Sequence, residues 1–272
     1  MTAPPLVLAT LDGYAVEGGF DHPREPTTCY RPTIALGRHD GPGDVEGLWQ
    51  DYEEVIDLAA SLGLGGLRLS VEWARVEPRR GEVDQAAMDR YAAVARHVRS
   101  RGLSLTVAIV DAAWPSWLGL EAWLLPWVVP DVLAQARRVL TALAEVEPRL
   151  VMFADPEGLV SRGYLNATAP PWRRGASDDA ASARAQLREI LRRAEGDPLL
   201  GPAMVGDTHT VGVELAPEQI KRERQGAARC EEFYVRSLVR GSGPTASGAG
   251  LLERRGDRWV VRASTELLAA LA

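Results

Sequence analysis

The sequence predicts an α/β fold of the TIM-type (β/α) barrel kind, incomplete or degenerate in its C-terminal part. Three observations lead there. Short apolar runs alternate with segments of helical periodicity, the signature of βα units on a mainly parallel sheet. Polar and aromatic residues gather just after the apolar runs, where a barrel keeps its functional loops. No GxGxxG loop opens any helix, so a dinucleotide-binding open sheet is not supported.

The elements follow in order. Leu6 to Thr10 reads as a first strand, and a Gly- and Pro-rich loop from about Gly13 to Gly43 carries Tyr14, Glu17 and Phe20. A connection of that length is usually functional. Asp44 can cap a helix running to about Leu62, which Gly63 ends. The second strand begins at Gly66. Read with period two, Arg68, Ser70 and Glu72 share one face while Leu69, Val71 and Trp73 share the other. Two charged groups on a strand expected to be buried must be paired or used. Asp84 caps the next helix and Gly102 stops it; Leu103 to Val110 is a third strand, followed by an aromatic turn, Trp114 to Trp117. Asp131 is read as the cap of a helix to about Glu147, and Leu150 to Phe153 as a fourth strand. A loop with Tyr164, Pro170, Pro171 and Trp172 leads to a helix over Ser177 to Glu195. Ala203 to Val213 reads as a fifth strand, Pro217 opens a helix to about Arg240, and Arg258 to Val261 reads as a last strand. The βα pattern fades after about Pro217, and a single domain over residues 1–272 is the expectation.

Composition narrows the class. The chain is 46% hydrophobic and 25% charged, ordinary for a globular protein, and its net charge of −6 argues against a nucleic-acid footprint. Cys29 and Cys230 have no CxxC partner, so neither a disulfide framework nor a zinc ribbon is expected. No apolar run reaches the roughly 18 residues of a membrane helix, and Met1 to Thr10 has no basic region like that of a signal peptide. A cytoplasmic protein with a small-molecule substrate, no cofactor, no metal and no membrane or nucleic-acid partner is expected.

The candidate catalytic residues are Glu72, Asp111 and Asp155, each at or just past a strand's carboxyl end. Arg68 is a supporting cation. Asp111 stands beside Trp114, and burial there would raise its pKa. Asp155 admits two readings, a general acid or the N-cap of an Asp-Pro-Glu helix start. Trp114 and Tyr164 would form an apolar wall for a ligand, with Trp172 beside them. Asp207 and His209 share a strand face, and His209 is taken into the pocket; two such residues with no third are weak grounds for a metal.

At these positions the chain resembles family 1 glycoside hydrolases, retaining β-glycosidases on a (β/α)8 barrel. Gly13-Tyr14-Ala15-Val16-Glu17-Gly18 resembles SYQVEG, and Arg68 to Arg75 resembles RFSISWSR. Val107 to Leu118 resembles VTLYHWDLPQWL, and Phe153-Ala154-Asp155-Pro156 resembles the acid/base motif TFNEP. The resemblance covers about residues 5 to 175 and implies the barrel fold and the acid position at Asp155, and Tyr14 and Glu17 are taken with Arg68 as substrate-binding candidates. The departures are specific. Ala15 stands where the family has a sugar-holding glutamine, Asp111 where it has a histidine, and Ala154-Asp155 where it has Asn-Glu. No counterpart of the nucleophile motif TENG is found. Retaining hydrolysis needs two carboxyls about 5–5.5 Å apart. The expectation is therefore acid/base chemistry at a ketal or hemiketal centre: a tailoring enzyme of antibiotic biosynthesis, a polyketide or spiroketal cyclase. An inverting or residual glycoside hydrolase, with Asp155 as acid and Glu72 or Asp111 as base, is the first alternative. A non-catalytic binding protein on a decayed barrel is the second.

Overall fold

The computed structural model describes residues 8–39, 41, 48–204, 252–255 and 258–261. The chain divides into two compact units, Val7–Val205 and a second made of Met1–Leu6 with Gly206–Ala272. In the first, four strands form one parallel sheet in the order β1 (Leu8–Leu11), β2 (Gly66–Ser70), β3 (Ser104–Val110) and β4 (Arg149–Phe153). Helices lie between them, as parallel connections require. Sequential order in a parallel sheet is barrel topology, and the described strands are part of such a barrel.

The helices are α1 (Gly13–Val16), α2 (Arg31–Ala35), α3 (Leu48–Ser61), α4 (Trp73–Val76), α5 (Gln85–Ser100), α6 (Val128–Ala142), α7 (Pro156–Val160) and α8 (Ser177–Glu195). Asp84 caps α5 as its sequence indicates, its carboxyl accepting from the Ala87 amide. Helix α6 starts earlier than expected. Pro130 lies within its first turn, where no amide hydrogen is needed, and Asp131 sits beside it and pairs with Arg80 at 2.7 Å instead of capping. Short helices α1 and α2 interrupt what reads as an uninterrupted loop.

The sheet has two differently filled faces. Leu67, Leu69, Leu105, Val107, Ile109, Leu150 and Met152 join the large core under the helices. Ala108, Val151 and Ala154 form a separate small cluster. Register aligns Thr10, Arg68 and Thr106 on that second face, with Ser70 beside Ala108 one step further. The second face is thus the barrel interior, lined by small and polar residues, and it leads to the carboxyl ends of the strands.

The second unit is described only through an antiparallel hairpin, β5 (Leu252–Arg255) with β6 (Arg258–Val261). Of the fifth strand anticipated at Ala203, Met204 makes a parallel bridge to Leu150. His209, Asp207, Asp44 and the helix expected from Pro217 lie outside the described residues. No helix among the described residues is long and apolar enough to cross a membrane.

Candidate active site

Four carboxyl groups meet where β1, β2 and β3 end. Asp12 follows β1, Glu17 follows α1, Glu72 lies two residues past β2, and Asp111 lies one past β3. Glu72 leaves 3% of its surface exposed and Glu17 is equally buried. Asp12 and Asp111 are half-buried.

Glu17 has the environment of an ion. It accepts from Arg75 Nε at 3.0 Å and from the Tyr91 hydroxyl at 2.9 Å. The Arg75 guanidinium lies between two aromatic rings, 4.2 Å from the centroids of both Phe20 and Trp49, and donates to the Gly18 carbonyl. Burial still lifts Glu17 to about 7, opposed by Arg75 and Tyr91.

Glu72 has no cation paired with it among the described residues. Its Oε1 accepts the Tyr14 amide at 2.9 Å, and its own amide donates to the Tyr91 hydroxyl at 3.1 Å. Burial pushes it well above the usual carboxylate range, and Glu17, Asp12 and Asp111 push the same way. Gly13 sits between the two glutamates. A Cβ there would stand 2.8 Å from Glu72 Oε1 and 2.9 Å from Glu17 Oε1, so these oxygens are no further apart than those two steps together. Two carboxylates so close in a dry site do not both ionise readily; Glu72 is the member that keeps its proton.

Asp12 is raised to about 6, by burial first and by Asp111 second, with the Ala15 and Tyr14 amides and, less strongly, the Arg68 guanidinium opposing. Asp111 Oδ2 accepts from the Ser70 hydroxyl at 2.5 Å, which ties the end of β3 to β2. The Ser70 side of β2 thus does face the site, as the alternation of Arg68, Ser70 and Glu72 indicates.

Asp155 lies two residues past the end of β4. Its Oδ1 accepts the Gly158 amide and its Oδ2 accepts Arg162 Nη1, both at 2.8 Å. It is an N-cap, the second of its two sequence readings, and both its oxygens receive hydrogen bonds in this arrangement.

The remaining candidates are spread. The Tyr14 hydroxyl donates to Asp21 at 3.0 Å and its ring stacks on Tyr30, so it braces the loop after β1. Trp114 is buried, donates to the Gly119 carbonyl and packs edge-on against Trp123, which in turn meets Phe153. It belongs to the core, not to a ligand wall. Tyr164 is fully buried as well, its hydroxyl unpartnered among the described residues. Trp172 lies edge-on to Tyr30. No group of three or more metal-ligating side chains occurs among the described residues.

The sequence reading misses Asp12 and Arg75. Asp12 follows the first strand just as Asp111 follows the third, a signal that was available. Arg75 lies three residues beyond Glu72, one helical turn on, but its partner is 58 residues away.

The geometry defines the class first: a parallel (β/α)-barrel segment with carboxyls gathered at its strand ends. Solved structures of the same fold include a β-glycosidase from Pyrococcus horikoshii, at TM-score 0.66 and 19% identity over 94% of this chain and 58% of that one. The GH1 β-glucosidase of Exiguobacterium antarcticum B7 aligns at TM-score 0.62 and 18% identity, over 72% of this chain and 46% of that one. In sequence, the chain is similar to a coniferin β-glucosidase of Pinus contorta, 30% identical over 167 residues, 59% of this chain and 33% of that protein. It is 26% identical over 170 residues to β-glucosidase 21 of rice, Oryza sativa subsp. japonica. The chain spans about a third of the length of these relatives. No protein-family model matches it.

The resemblance to family 1 glycoside hydrolases thus holds in sequence and in fold. The expectation of a polyketide or spiroketal cyclase does not. It rested on the missing nucleophile motif and on an apolar wall at Trp114 and Tyr164. The relatives are β-glucosidases, and the structure buries both wall residues. The glycoside alternative is the better supported of the readings.

Proposed function

We propose that this chain acts on a glycoside at the strand-end mouth of its barrel, by carboxyl acid/base catalysis. The observation that carries the reading is the similarity to β-glucosidases, which extends over 59% of the chain. The carboxyls and the fold support it. In this reading Asp155 and Asp111, at the ends of neighbouring strands β4 and β3, are acid and base across the scissile bond. Glu72 is a positioning residue, too buried to touch a substrate. Its neutral carboxyl holds the Tyr14 amide and keeps the floor of the site from carrying another negative charge. For Asp155 to deliver a proton, the bound substrate must draw it away from Arg162 and Gly158.

The test is turnover of p-nitrophenyl β-D-glucoside by the purified chain, with the anomeric configuration of the first product followed by proton NMR. Hydrolysis lost in both Asp155→Asn and Asp111→Asn is expected. A chain that neither cleaves nor binds any glycoside overturns the reading.

A second reading, glycoside binding without cleavage, is favoured by the hydrogen bonds that occupy both oxygens of Asp155. Binding that is unchanged in Asp155→Asn, with no turnover in either protein, selects it.

A further inference from the structure

Asp111 takes part in one side-chain hydrogen bond among the described residues, the one that its Oδ2 accepts from the Ser70 hydroxyl at 2.5 Å. Its Oδ1 has no such partner, and it is not one of the buried unpartnered atoms of the described residues. Asp111 is half-buried, whereas Ser70 leaves 2% of its surface exposed. The other strand-end acids are placed differently. Glu72 is buried, and Asp155 has both oxygens engaged, by the Gly158 amide and by Arg162. Asp111 alone among these three combines partial exposure with one oxygen held and the other open.

The sheet does not need the Ser70 bond. Strands β2 and β3 are paired from Gly66 with Ser104 to Ser70 with Ala108, and the Val71 amide donates to the Ala108 carbonyl at 3.0 Å just beyond. Ser70 stands opposite Ala108, which clusters with Val151 and Ala154, so this small-residue patch offers its hydroxyl no other side-chain partner. The hydroxyl has one proton to donate, and Asp111 receives it. Asp111 itself lies one residue past β3, where the ladder no longer fixes its direction.

We infer that Ser70 is a positioning residue for Asp111: its hydroxyl holds Oδ2 and leaves Oδ1 directed to take a proton. The inference rests on the reading of Asp111 as the base of glycoside cleavage. A general base must stand within hydrogen-bond reach of the proton that it removes, and small errors of placement cost rate steeply. A hydroxyl fixes the direction of a carboxyl without bringing a charge of its own, unlike the guanidinium that meets Asp155. Ser70 itself is too buried to touch a substrate and acts only through Asp111.

The experiment is steady-state turnover of p-nitrophenyl β-D-glucoside by the full chain and its variants. In Ser70→Ala, kcat is expected to fall about tenfold with KM within about twofold, because aim is lost and binding is not. Ser70→Cys, which keeps the shape with a weaker donor, replaces it if the alanine variant loses its near-UV circular dichroism. A second arm removes the base. Azide attacks the anomeric carbon in place of water and has no proton to give up, so it is expected to restore p-nitrophenolate release to Asp111→Ala. Adding Ser70→Ala to that variant is expected to change the azide-dependent rate by less than about twofold, since the two residues act as one unit. The positioning role is overturned, and glycoside cleavage stands, if Ser70→Ala keeps kcat within about threefold or loses only in KM. It is equally overturned if azide restores nothing to Asp111→Ala, or if Ser70→Ala costs as much without Asp111 as with it. Both fall if the unaltered chain cleaves no glycoside.

Discussion

Glu17 and Glu72 are a natural experiment in burying a carboxyl group. Both are glutamates with almost no exposed surface, and both crowd the same glycine. Glu17 is answered by a guanidinium and a phenol, so it can be an anion. Glu72 is answered by a single backbone amide and has three acids for neighbours, so it is held neutral. Burial is common to the two; the difference lies in what each was given in exchange for water. A dry site therefore contains one carboxyl that ionises against a guanidinium as pH rises through about 7 and one that keeps its proton.

The sharpest way to break this comparison is to neutralise the wrong member. At pH 8, Glu17→Gln strands the Arg75 guanidinium between Phe20 and Trp49. Breaking a buried pair from one side costs about 3–5 kcal/mol, so that loss is expected in chemical denaturation. A loss below about 1 kcal/mol would mean that Glu17 is not the counter-ion.

Next comes the spacer. Gly13→Ala puts a methyl 2.6 Å from Glu72 Cγ and 2.9 Å from Glu17 Oε1. Overpacking of this kind costs about 1–3 kcal/mol. Unchanged denaturation would show that the two side chains can move apart freely.

The third test is pH. Asp12 near 6 and Glu17 near 7 both stand above their ordinary values of 3.8 and 4.5, so the folded chain holds protons that the unfolded chain releases. Their contribution to stability is full below about pH 4 and is lost as pH rises through 6 to 7. Melting temperature is accordingly expected to fall between pH 5 and pH 8, with proton release on unfolding measurable by calorimetry in buffers of different ionisation enthalpy. A rise over that window would contradict the placement of these acids.

The smallest effect sharpens the comparison from the other side. Glu72→Gln keeps the shape of a protonated carboxyl and the carbonyl oxygen that meets the Tyr14 amide. A change under about 0.5 kcal/mol at pH 6 is expected, because an isosteric neutral group replaces a neutral group. A large loss would show that Glu72 is ionised after all.

Much of this was legible in the chain, for local reasons. Helix α8 begins at Ser177 and ends at Glu195 as its sequence indicates, and the Asp-Pro-Glu start of α7 announced its cap. The alternation along β2 placed Arg68 and Ser70 on one face because strand geometry leaves no other choice. What was not legible depends on pairing at a distance. The identity of Glu17 as an ion required knowing that Arg75 and Tyr91 arrive beside it from other elements. Trp114 reads the same in sequence whether it lines a pocket or fills a core. Only the approach of Trp123 and Phe153 decides for the core. The polyketide reading is overturned by the similarity to β-glucosidases, and the apolar wall it called on is core.

The Tyr91 hydroxyl accepts a hydrogen bond from the Glu72 amide and donates one to Glu17. That one phenol, carried on α5, touches both members of the compared pair. It is therefore a built-in reporter: the ring resonances of this tyrosine should register the ionisation of Glu17 and any disturbance of the Glu72 backbone. A single isotope label on Tyr91 would follow the electrical state of the whole floor, with no probe added and no residue of the site replaced.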